Sequence, residues 1–188
     1  FDTFAANYPL WGMPYGLPGL SKNEHATLTR WLEQGAHGVP VAAPTAAELN
    51  EVQRWEVFFN GNSLKQQLMS RYMYEHLFIG DLYFSDLGES SRYYNLVRSR
   101  TPPGEPIDII ATRRPYDDPG QAVVYYRLQT LRSAVLDKRH MPYALNAARM
   151  QRWQSLFLDA DYSVTALPSY QNEDAAKFAL PGRTQMVG

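Results

Sequence analysis

The 188-residue sequence contains no cysteine. Disulfides, thiolate nucleophiles and zinc–thiolate sites are therefore excluded, although no compartment is selected. Charge of one sign is also missing: 18 Lys and Arg face 19 Asp and Glu, for a net charge of −1. No global basic field recruits nucleic acid, and none is expected as a partner. No run approaches 18 consecutive apolar residues, so no transmembrane helix is expected. Gly12, Gly16 and Gly19 stand among prolines with no strand before them, which does not make a dinucleotide fingerprint. The four His, at 25, 37, 76 and 140, form no H-x-x-x-H pair, so a zinc or non-haem iron site is weakly supported. The chain opens at Phe1 without an initiator Met. It is read as an internal stretch of a longer protein, so missing targeting signals exclude nothing.

What is present is an ordinary globular composition, 45% hydrophobic and 20% charged, rich in aromatics at 13%. Three capping boxes announce helices: Ser21 with Glu24, Thr45 with Glu48, and Ser63 with Gln66. Gly35 and Gly61 stand where C-caps belong. The third helix is expected to run over 63–84 and to be largely buried, because its apolar arc is wide. The period then changes. "RYYNLVRS", "IDIIATR" and "AVVYYRLQTL" read as three strands between Pro/Gly turns, and a last helix is expected from about Leu145 to Leu158. The fold class is α+β: an N-terminal helical segment, a long buried helix, a small antiparallel sheet and a C-terminal helix.

Two stretches carry candidate chemistry. "RSRTPPGEPIDIIATRRPYDDPG" gathers Arg98, Arg100, Arg113 and Arg114 around one short strand. Solvated Arg–Asp pairs are one reading. An anion site is the other, since a guanidinium binds carboxylate or phosphate as a fork. On the third helix Arg71 and Glu75 are spaced to pair, and His76 follows Tyr72 by one turn. His76 is either a satisfied helix residue or the best functional histidine.

"WGMPYGLPGLSKNEHATLTRWLEQGA" resembles the closing segment of a class I cytochrome c, in which a Met-Pro loop ligates haem and a helix follows. The resemblance makes Met13 a possible axial ligand; packing is the other reading. "MPYGLPGLS", "LMSRYMYEHLFIGDLYF", "YNLVRSRTPPGEPIDIIATRRPYDDPG", "VYYRL" and "HMPYAL" together resemble the fatty acid cis/trans isomerase family of Gram-negative bacteria. That resemblance implies a periplasmic enzyme that turns cis double bonds of membrane phospholipid acyl chains into trans ones. It implies a haem c, attached through a C-x-x-C-H motif absent from this chain, that weakens the double bond. It implies peripheral contact with the membrane. Residues 1–40 are expected to end a cytochrome c-like segment, and 41–188 to form the isomerase-family domain. Candidate catalytic residues are His76, Tyr72 and Glu75. Candidate substrate-binding residues are Arg98, Arg100, Arg113, Arg114 and Tyr116. The stretch alone is expected to be inactive. A lipid-docking scaffold and a piece of an electron-transfer cytochrome are the alternative readings.

Overall fold

The computed structural model describes residues 2–12, 16, 19–38, 43–88, 92–131 and 141–170. Met13, the possible axial ligand, lies outside the described residues, as do His140 and the tail beyond Tyr170. The chain divides into two compact units, 1–42 and 43–188.

The first unit carries α1 (Asp2–Asn7) and α2 (Lys22–Glu33). Ser21 and Glu24 form the expected reciprocal box, each bonding the other's backbone N–H, at 3.3 and 2.7 Å. Gly35 (φ +92°) ends α2 in the left-handed conformation that favours glycine. The indole of Trp31 donates to the His37 carbonyl at 2.9 Å. Neither helix holds a buried residue.

The second unit is a four-stranded sheet with helices on its core face. Its elements are α3 (Ala46–Phe59), α4 (Leu64–Leu77), β1 (Asp81–Phe84), β2 (Tyr93–Ser99), β3 (Tyr125–Thr130), β4 (Pro142–Leu145) and α5 (Ala147–Trp153), the last continuing as a π-helical turn, Gln154–Leu158. The α+β class stands, and both remaining capping boxes form. The expected helix over 63–84 is corrected: α4 stops at Leu77, and 81–84 is a strand. Gly80 folds back so that its N–H meets the Leu77 carbonyl, and a Cβ there would sit only 3.2 Å from that oxygen. Asp81–Phe84 then alternates in burial with the strand period of two.

The sheet is mixed rather than antiparallel, in the order β3-β2-β1-β4. β2 pairs antiparallel with β1 and β3, whereas β1 and β4 are parallel. A parallel pair needs a long crossover, and the whole β2–β3 region supplies it. Leu145, expected to open the last helix, instead closes β4. The expected strand 107–111 reduces to one bridge, Ile109 to Ser99. The reason is spatial. β1 covers only the start of that edge of β2, through Tyr93 and Tyr94. The segment around Asp108–Ile110 completes the other end, with Ile110 N–H on the Arg98 carbonyl at 2.8 Å.

The core is strongly aromatic. Trp55 and Phe59 of α3 meet Trp153 of α5, with the two indoles edge-to-face at 5.6 Å. Leu68, Met69, Tyr72 and Met73 of α4 join Leu82, Phe84, Tyr94, Leu96 and Leu128 from the sheet. The apolar arc of α4 is thus spent on core packing.

Candidate functional site

The alternation along β2 puts Tyr94, Leu96 and Arg98 on the core face. Arg98 therefore carries its charge inward and is 1% exposed. Opposite it in register on β3 is Tyr126, and above it is Tyr74 of α4, whose ring lies 4.9 Å from the guanidinium carbon. The Tyr74 and Tyr126 rings are 5.8 Å apart. One turn along α4, Arg71 Nε donates to Glu75 Oε1 at 2.8 Å, with both side chains buried. Arg71 also donates to the carbonyls of Pro168 and Ser169, at 2.7 and 2.9 Å, and lies 4.0 Å over the Tyr170 ring.

These groups form a buried arginine–tyrosine cluster at one end of the sheet. Burial pushes the Tyr126 hydroxyl up, and Tyr170 beside it adds to the effect; Arg98 and Arg71 pull the other way and lose. Burial raises Tyr170 too. Both phenols stay protonated near neutral pH, so these two hydroxyls are hydrogen-bond donors and not general bases.

Arg98 uses its fork on protein oxygens. Nη1 donates to the Asp117 carbonyl at 3.0 Å, and Nη2 to Thr112 Oγ1 at 2.6 Å. The Thr112 hydroxyl passes the contact on, donating to the Arg114 carbonyl at 2.7 Å. The Arg114 N–H returns to Asp117 Oδ2 at 2.9 Å. The turn 112–117 is thus knotted to a buried side chain.

A second buried arginine treats the other turn likewise. Arg127 Nη1 donates to the carbonyls of Thr101 and Pro102, at 3.2 and 2.6 Å, and Nη2 to that of Glu105 at 3.1 Å. Its Nε pairs with Glu56 Oε2 of α3 at 2.9 Å, as an ion pair rather than an aligned hydrogen bond.

The structure therefore separates the four arginines expected to act together. Arg98 is buried. Arg100 is exposed and paired with Asp108 at 3.0 Å. Arg113 and Arg114 are exposed on the knotted turn, and Arg114 lies 5.7 Å over the Tyr116 ring. Among the described residues neither of these two joins an ion pair. Their acidic neighbours are turned to the backbone: Asp117 accepts from Arg114 N–H, and Asp118 from Gly120 N–H at 2.8 Å.

The expected trio on α4 stays on one side of the helix, and the Tyr72 and His76 rings lie with centroids 4.1 Å apart. Glu75 faces Arg71 and the tyrosine cluster. Tyr72 packs its ring on Phe157 at 5.5 Å. His76 is exposed, and its Nδ1 lies 2.7 Å from the Tyr72 carbonyl. A carbonyl only accepts, so Nδ1 carries a proton in this contact. Residues three apart on a helix are separated by about 60° around its axis, so Tyr72 and Glu75 are neighbours on α4. Arg127, Tyr126, Tyr74 and Tyr170 were not singled out from the sequence. β3 gives no alternating sign, because Tyr126, Arg127 and Leu128 are buried in succession, and Arg127 pairs with Glu56 far away in the chain.

No group of three or more His, Asp or Glu able to hold a metal occurs among the described residues. A haem c needs cysteine thioethers, and the chain has no cysteine. The residues present do not fit a haem held covalently by this chain. No helix among the described residues is long and apolar enough to cross a membrane.

No curated protein and no solved structure matches the sequence. A family model does: that of fatty acid cis/trans isomerase, over residues 1–179. That match spans both units and takes in the knotted arginine turns, and on it the chain belongs to the fatty acid cis/trans isomerase family.

Proposed function

We propose that this chain serves the conversion of cis-unsaturated acyl chains of membrane phospholipids to trans, and that its own contribution is to hold the lipid by its head group. The observation that carries this reading is the pair Arg113 and Arg114: exposed, without ion-pair partners among the described residues, and displayed on a turn whose acids are occupied by backbone amides. Isomerising a double bond in mid-chain requires that bond to lie at a fixed depth below the surface, so a fixed head end is half of the geometry. A guanidinium grips a phosphodiester as a fork, and the Tyr116 ring beside Arg114 supplies an amphipathic surface suited to the membrane interface.

In this reading the protein works from the periplasm as a peripheral membrane enzyme. A haem c held outside these residues would supply the electron withdrawal that lowers the double-bond order. Arg98, Arg100 and Glu75 have other partners in the fold, so the direct anchor narrows to Arg113 and Arg114.

The test is Arg113→Gln with Arg114→Gln in the intact enzyme, followed by gas chromatography of membrane acyl chains. Each basic residue near an anionic surface contributes on the order of 1 kcal/mol. Trans-fatty-acid formation should fall by roughly three- to tenfold at equal protein level, since exposed charges are partly screened. An unchanged trans/cis ratio would remove the anchor.

A further inference from the structure

The clasp beneath the exposed pair points beyond the anchor itself. Arg98 is the largest charged side chain that is fully buried, and among the described residues it meets no carboxylate. Its Nε is buried without a hydrogen-bond partner. A buried, uncompensated guanidinium is costly, and an apolar side chain of similar volume would commonly be more stabilising there. What the charge secures instead is the backbone of one turn. Through Nη1 and Nη2 it holds Asp117 O and Thr112 Oγ1, and Thr112 then holds Arg114 O. These contacts bracket Arg113 and Arg114 from both sides.

Ordering a loop during binding lowers affinity, and ordering it beforehand avoids that loss. We propose that Arg98 and Thr112 are positioning residues, a buried clasp that preforms the turn 112–117 so that Arg113 and Arg114 meet a lipid phosphodiester in a fixed spacing. The ligand in this proposal rests on the head-group reading above; the clasp rests on the hydrogen bonds alone.

Thr112 is the sharper probe, because it carries no charge and is only half-buried. Thr112→Val removes the relay while keeping shape and every guanidinium; Thr112→Ser keeps the hydroxyl. Two measurements on the full chain separate the possibilities. One is binding to vesicles of phosphatidylglycerol mixed with phosphatidylethanolamine. The other is amide hydrogen exchange over 112–117, with β2 and β3 as internal references.

For Thr112→Val we expect faster exchange confined to the turn and a half-saturating lipid concentration raised about three- to tenfold. Thr112→Ser should stay within about twofold of the parent. Arg98→Lys, which lacks the fork, should act like Thr112→Val; should it fail to fold, the Thr112 pair decides alone. Exchange unchanged in Thr112→Val would overturn the clasp. Faster exchange with parental lipid binding would overturn its role in positioning. Binding weakened by Thr112→Val but untouched by Arg113→Gln with Arg114→Gln would overturn the head-group reading and leave the clasp as a device of loop order.

Discussion

The contribution of a charged side chain to stability depends on its burial. Arg127 and Arg100 stand at opposite extremes. The Arg127–Glu56 pair is almost wholly withdrawn from water, and Glu56 also accepts the Leu128 N–H at 2.9 Å. Arg100 and Asp108 pair at 3.0 Å with about half of each side chain exposed. Removing one member of a buried pair leaves the other uncompensated. Arg127→Ala should therefore destabilise by about 3–5 kcal/mol, whereas Arg100→Ala should change stability by less than about 1 kcal/mol. Urea unfolding midpoints at constant slope measure both; equal effects would refute the distinction. Glu48 gives a pH signature. Burial pushes its carboxyl up, but the N–H groups of Thr45 and Arg92, the Thr45 hydroxyl and the Arg92 charge outweigh burial and hold it below the ordinary 4.5. A carboxyl depressed in the folded state contributes stability that is fully present above its unfolded value and lost as pH falls through the folded one. Glu48→Gln should thus lower stability at neutral pH and flatten the decline below pH 4.5. An acid limb identical to the parent's would exclude the assignment.

At the scale of elements, the features legible in the sequence are those set by a few neighbouring residues. All three capping boxes form because each needs only a hydroxyl and an acid or amide three positions on. Gly61 shows how local reading can find the right residue for the wrong reason. It is not in a left-handed conformation; a Cβ there would meet the Gln66 side chain at 2.1 Å, and Gln66 is committed to its box. Strand β1 was hidden because Leu77, Phe78 and Ile79 prolong the apolar pattern of α4 up to Gly80. Its parallel partner β4 was hidden because pairing across a long crossover leaves no periodic trace. The exposed edge of β3 was equally illegible. Asn60 at the end of α3 covers it like a short strand, donating to the Tyr126 carbonyl and accepting its N–H, both at 2.8 Å. Asn60→Ala should cost about 1–3 kcal/mol, because both edge groups lose their partner. It should also promote self-association through the uncovered edge. Urea unfolding and light scattering read the two effects, and a stable, monomeric variant would show that the edge needs no cover.

For the whole molecule, the arginine site was half legible. The residue types and their clustering pointed to anion chemistry, but which arginines face inward depends on strand register and on partners far along the chain. The division of labour between the units is open to a direct test. Residues 43–188 hold a continuous aromatic core running from Trp55 to Phe157. In 1–42 neither helix contains a buried residue, and α2 spans 12 residues, a length at which an isolated helix is marginal in water. Among the described residues the ring contacts of Phe4, Tyr8 and Trp11 are with one another, with centroids 5.0 and 4.5 Å apart. Folding cooperativity should therefore reside in 43–188. A chain shortened to those residues should keep a single sharp thermal transition, with Tm within a few degrees of the parent, since few buried groups are removed. A peptide of 1–42 should show weak helical circular dichroism that falls gradually on heating. A broad or absent transition in the shortened chain would show instead that residues 1–42 contribute to the cooperative core.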